Sequence, residues 1–134
     1  MDCYSNAKEW HNGAKIMANS GEYRLAIYHC CMAVELYLKS RLPQVPHRDD
    51  LEESHDVIGV YKALSDVYGK DNTIDKVIPK IRKYINESRY PSNPVVKFDK
   101  SLADEFIGHV ADVNEYVDTK CMATLNDLST KFRK

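Results

Sequence analysis

No apolar run in this chain of 134 residues approaches the ~20 needed for a membrane-spanning helix, so nothing in it reads as a transmembrane segment. The opening MDCYSNAKEW lacks the basic-then-apolar build of a signal peptide, which makes a cytoplasmic protein the expectation. Charge of either sign is not in excess: 19 Lys and Arg face 20 Asp and Glu, for a net charge of −1. There is no global field to hold a polyanion, and any nucleic-acid binding must come from a local patch. The five glycines are scattered, so no glycine-rich phosphate loop is present. None of the four cysteines (Cys3, Cys30, Cys31, Cys121) forms a CxxC pair, and Cys30 and Cys31 point to different sides of a helix. They read as structural thiols in a reducing compartment. A zinc site using His29 lacks ligand spacing, and no metal or cofactor is expected. Ser92 and Ser101 have no adjacent base and are not nucleophile candidates.

What is there is helix. The stretch from Glu22 to Leu42, EYRLAIYHCCMAVELYLKSRL, organises the chain. Tyr23, Ala26, Ile27, Cys30, Ala33, Val34, Tyr37 and Leu38 recur at helical spacing and form one wide apolar face. Leu25, His29, Met32 and Leu36 add a second, largely apolar stripe. The remainder is a narrow polar ridge of Arg24, Tyr28, Cys31, Glu35 and Lys39. A helix so nearly apolar all round is covered by neighbours on most sides, which places it at the centre of an all-α bundle. The length suits one compact domain over residues 1–134.

Around this pillar the pattern predicts four more helical stretches in an up-and-down bundle. The first spans Asp2 to Asn19, with Cys3, Ala7, Trp10, Ala14 and Met17 as its seam, and Ser20-Gly21 turns it tightly into the second. After the loop of Pro43 to Asp50, Ser54 is the expected N-cap of a third helix over His55 to Tyr68, burying Val57, Tyr61, Leu64 and Val67 or Tyr68. A fourth covers Ile74 to Ser88 with Val77, Ile78, Ile81, Tyr84 and Ile85 inward. Pro79 should either kink it or move its start near Ile78. Arg89-Tyr90-Pro91-Ser92-Asn93-Pro94 breaks the helix. Asp99 then caps a last helix over Lys100 to Lys131, whose apolar line is Ala103, Phe106, Val110, Val113, Val117, Cys121, Leu125, Leu128 and Phe132. At about 30 residues this helix outruns a compact bundle, so its distal end is a candidate surface for another subunit.

These pieces, in this order, resemble the HEPN domain, the helical family named for nucleotide binding in higher eukaryotes and prokaryotes. The resemblance covers nearly the whole chain. It rests on Ala33, Glu35 and Lys39 in the second helix, on His55 opening the third with Leu64 further along, on Tyr84 followed by Arg89-Tyr90-Pro91, and on the aromatic Phe98 before the last helix. It implies a bundle of four or five helices that usually dimerises. Members are commonly encoded beside minimal nucleotidyltransferases in toxin–antitoxin-like pairs, and others are metal-independent endoribonucleases. The nuclease branch carries Arg, four to six residues, then His, near the last two helices. Here the positions after Arg89 where that His would fall are Pro94, Val95 and Val96, so the resemblance points to a non-catalytic member.

The spacing recurs in the first half, at Arg24–His29, Arg41–His47 and Arg48–His55, but bare spacing is a low-grade signal in a chain with six arginines and five histidines. Arg24 and His29 project roughly 140° apart on their helix and do not share one phosphate readily. Arg48 and His55 sit on a loop and a helix start, where convergence is physically allowed. They carry the alternative reading, a metal-independent ribonuclease. For binding, the candidates are Arg89, Tyr90, Tyr84, Glu35 and Lys39. An arginine at a helix end can hold a phosphate through two parallel hydrogen bonds. The stretch from Asp75 to Lys100 has seven basic and three acidic residues, with Tyr84, Tyr90 and Phe98 as stacking faces, which suits a nucleotide or single strand. The plainer reading pairs Arg89 with Glu35 or Glu87 and makes Glu35–Lys39 a surface i, i+4 ion pair. His55, on that plainer reading, caps its helix or bonds a backbone carbonyl. The five carboxylates between Arg48 and Asp56 are either a solvated loop or a dock for a basic partner. A third reading is a structural adaptor bundle.

Overall fold

The protein's computed structural model describes residues 2–90 and 96–132, with side chains described through Cys121. Five helices account for most of it: α1 (Cys3–Asn19), α2 (Tyr23–Lys39), α3 (Val57–Tyr68), α4 (Asn72–Arg89) and α5 (Lys100–Phe132). Among the described residues there is no β-strand, and the helices form an up-and-down bundle. Asp2 caps α1 by accepting the Ser5 N–H at 3.1 Å. The turn into α2 is tight because Gly21 takes a φ of +80°, which an L side chain resists.

α2 is the pillar. It packs most extensively on α1, then on α5 and α4, and touches α3. Ala26, Ile27, Cys30, Ala33, Val34, Tyr37 and Leu38 are all fully buried, as the wide apolar face requires. Small residues bring α1 close: Ala7 and Ala14 have no exposed surface, and a Cβ on Gly13 would meet Cδ2 of His29 at 2.8 Å. The later part of the polar ridge does not face solvent. Cys31, Glu35 and Lys39 are buried, because α4 and the segment leading into α3 close over that side. Arg24 and Tyr28, at the start of the ridge, and the stripe of Leu25, His29, Met32 and Leu36 are partly exposed.

Two helix starts differ from the sequence pattern. α3 is capped by Asp56, whose carboxylate accepts the Gly59 N–H at 2.9 Å, and not by Ser54, whose hydroxyl accepts the Asp56 N–H at 3.3 Å. Two capping residues, two positions apart, compete here, and the one nearer the apolar run takes the helix. α4 begins at Asn72, capped by Asp71 through the Thr73 and Ile74 N–H groups, and continues past Pro79 to Arg89. An internal proline costs about 3 kcal/mol. Burial of Ile78 and Ile81 offsets it at about 1.5–3 kcal/mol each, and Pro79 itself lies on the solvent side.

α5 starts as expected, with Asp99 accepting the Leu102 N–H at 2.8 Å. Its line of Ala103, Phe106, Val110, Val113, Val117 and Cys121 is fully buried. Leu125, Leu128 and Phe132 continue the line in sequence, but their side chains lie outside the described residues, as do Pro91 to Val95. No helix among the described residues is long and apolar enough to cross a membrane.

Candidate functional site

The C-terminal turn of α4 leaves backbone carbonyls without helical partners. Arg24 of α2 satisfies one of them, donating from its guanidinium to the Ser88 carbonyl at 2.6 Å. That contact fixes the end of α4 against the pillar, where Arg89 and Tyr90 follow. Arg89 lines a narrow slot with Tyr28 and Met32 of α2, Ile85 and Asn86 of α4, and His55 from the segment before α3. The slot holds about 20 Å³, room for roughly one water-sized group.

Behind His55 lies a carboxylate with almost no access to water. Glu35 is 3% exposed, and its Oε1 is 2.7 Å from Nδ1 of His55, whose own side chain is 58% exposed. The second oxygen, Oε2, takes the Lys39 ammonium at 3.5 Å, also buried. A buried carboxylate needs such partners, since its charge is otherwise costly. The ion pair on α2 is therefore an interior one. His55 neither caps α3 nor bonds a backbone carbonyl; the Glu35 carboxylate takes its place as partner, because α2 presents it directly below the loop.

The five candidates for binding occupy different places. Arg89 is at the slot. The Tyr90 ring is 66% exposed and lies under the Arg89 guanidinium, 5.1 Å from it. Glu35 and Lys39 reach the slot only through His55. Tyr84 is elsewhere: it packs edge-on against Phe106 and Phe98, at 5.1 and 6.5 Å. Its free side lines a wider groove of about 540 Å³ with Lys83, Val96, Lys97 and the start of α5. Arg89 makes no ion pair with Glu35 or Glu87 among the described residues.

Arg48, the other half of the ribonuclease pair, is exposed and engaged. Its guanidinium meets Asp50 and Asp56, each at 2.8 Å. The Asp56 side-chain bond and the Asp50 charge raise its pKa further above the ordinary arginine value. Asp56 in turn is held below the usual carboxylate range, first by the Gly59 N–H at the start of α3 and then by Arg48. Among the described residues no group of His, Cys, Asp and Glu side chains is placed to hold a metal.

Five packed α-helices, the central one largely buried, define the class of small helical bundles. Comparison with known families makes this specific: the sequence model of the HEPN domain matches residues 1–120, and the chain belongs to that family of helical nucleotide- or RNA-binding modules. No curated protein and no solved structure matches it.

Proposed function

We propose that this HEPN module, a single domain over residues 1–134, binds a nucleotide or a short RNA segment at the Arg89 slot without cutting it. The observation that carries the reading is the pairing of Arg89 with the exposed Tyr90 ring beside a slot too small for a nucleoside. A phosphate oxygen fits the slot, while sugar and base stay outside, where Tyr90 offers a stacking face. Glu35 and Lys39 act from behind, and Tyr84 belongs to a second groove, of mixed charge, that a longer strand can reach. The non-catalytic part rests on the missing His after Arg89 and on the two carboxylates that occupy Arg48.

Titration of ATP, GTP and short RNA into wild type and Arg89→Ala tests this. Wild type should bind at least one of them, and the variant should bind it at least about tenfold more weakly. Equal and negligible binding by both removes the ligand reading. The ribonuclease alternative predicts metal-free RNA cleavage that Arg48→Ala and His55→Ala each abolish, and an inert wild type removes it.

The family layout also supports a homodimer, and pairing with a minimal nucleotidyltransferase in a toxin–antitoxin-like system of the cytoplasm. The distal part of α5 and the acidic loop before α3 are the surfaces we assign to those contacts. A monomer by light scattering, and a native complex without a nucleotidyltransferase, would remove the two parts separately.

A further inference from the structure

The sequence gives no reason to join His55 to Arg89, since they lie on different elements and fit no motif spacing. The fold puts both on the walls of one slot. His55 is also held in an unusual way for a residue more than half exposed. Its Nδ1 sits 2.7 Å from an oxygen of the buried Glu35, and a carboxylate can only accept, so Nδ1 carries the proton. The opposite ring nitrogen, Nε2, then points away from Glu35. Glu35 cannot swing away from this bond, because it is buried and its other oxygen is taken by Lys39. A histidine that served only to satisfy Glu35 would not need to line the slot.

We propose that His55, oriented by Glu35, is the second phosphate-contacting residue of this slot, facing Arg89 across one phosphate oxygen. The inference rests on the ligand reading above and deepens it by naming the group recognised. Arg89 supplies a permanent cation from the end of α4. His55 supplies Nε2, which donates when the ring is an imidazolium, and the Glu35 carboxylate balances the charge so formed. Glu35 and Lys39 are positioning residues, since neither lines the slot. On the loop side Arg48 pairs with both Asp56 and Asp50, and Arg82 of α4 is close enough to Asp56 to help hold its pKa down. A slot of about 20 Å³ lined by both Arg89 and His55 takes an oxygen of a phosphate and excludes the ring of a base. The phosphate can be a terminal monoester or an internal diester of a strand.

One substitution separates ligand contact from structural support. In asparagine the side-chain nitrogen is as many bonds from Cβ as Nδ1 is in histidine, so His55→Asn keeps the bond to Glu35 but has no Nε2. Binding of AMP and of a hydroxyl-ended oligonucleotide is measured for wild type, Arg89→Ala, His55→Asn and Glu35→Gln, with ¹H–¹⁵N spectra of the histidine rings. Free wild type should show His55 as the Nδ1–H tautomer, and Glu35→Gln should shift that population. Ligand should move the Nε2 resonance, and His55→Asn, folded by circular dichroism, should bind at least about tenfold more weakly. Loss confined to AMP identifies a terminal phosphate, and loss with the hydroxyl-ended strand identifies an internal one. If wild type binds, Arg89→Ala does not, and His55→Asn binds as tightly as wild type, this inference fails while the ligand reading stands. If wild type binds neither probe, both fail.

Discussion

The guanidinium of Arg24 lies 2.6 Å from the carbonyl oxygen of Ser88 and so ties the first turn of the central helix to the last turn of α4. Arg89 and Tyr90 are presented from that tied end. Arg24→Met keeps the aliphatic stem and removes the donor. It should lower stability by about 1–2 kcal/mol in a urea melt and speed hydrogen exchange at the Tyr90 amide, which bonds the Asn86 carbonyl.

The interior ion pair should matter far more than the exposed one. Lys39→Met removes one partner of a carboxylate that is 3% exposed, and the expected loss is on the order of 3 kcal/mol. Arg48→Ala disrupts contacts that are mostly solvated, and the two melts should be clearly separated. Equal effects would mean that Glu35 does not depend on Lys39.

Tyr37 is fully buried, packs edge-on against Tyr4 at 5.5 Å, and its hydroxyl finds no hydrogen-bond partner among the described residues. Burial pushes its pKa up. Tyr37→Phe keeps the packing and removes the unpaired group. Stability should rise by about 1 kcal/mol in denaturant titration.

Asp56 gives a signed pH dependence. Its pKa is lowered in the folded chain, first by the Gly59 N–H and then by Arg48. A depressed carboxylate contributes stability above its unfolded value of about 3.9 and loses it as pH falls through the folded value. Asparagine caps a helix nearly as well, so Asp56→Asn isolates the charge. Wild type should be the more stable at pH 7, and the difference should start to shrink near about pH 4 and vanish only once the pH is below the depressed folded value. A difference that grows on acidification would contradict the cap.

Thiol reactivity checks the core directly. Burial pushes the Cys30 thiol up to about 12 and Cys121 up to about 11, and it moves Cys31 further in the same direction. Cys3 is only half-buried, and all four are free. A thiol reagent at pH 7 should label Cys3 promptly and the other three only after unfolding, as read by peptide mass spectrometry.

Helical periodicity made the bundle legible before any coordinates, because apolar faces such as Ala26–Ile27–Cys30–Ala33–Val34 repeat over several turns. The α3 start was less legible, since Ser54 and Asp56 are both good caps and only packing chooses between them. Pro79 marks a break in local terms, and the buried isoleucines on the opposite face overrule it. On the plainer sequence reading Glu35 and Lys39 form a surface ion pair, because polarity on a helix normally means water. Tertiary partners alone reveal that the pair is interior. Arg89 could be nominated from its position at a helix end, but its proximity to His55 arises from folding across more than thirty residues of chain. Nothing local in the sequence separates Tyr84, which lines a different groove, from Tyr90.

The central claim is that ligand meets the flank of the pillar at the end of α4. Amide chemical-shift mapping with a short single-stranded RNA tests it most directly. Shifts centred on Tyr28, His55, Asn86, Arg89 and Tyr90, lost in Arg89→Ala, are the predicted result. Shifts centred instead on Lys83, Tyr84, Lys97 and Ser101, and unchanged by Arg89→Ala, would contradict it.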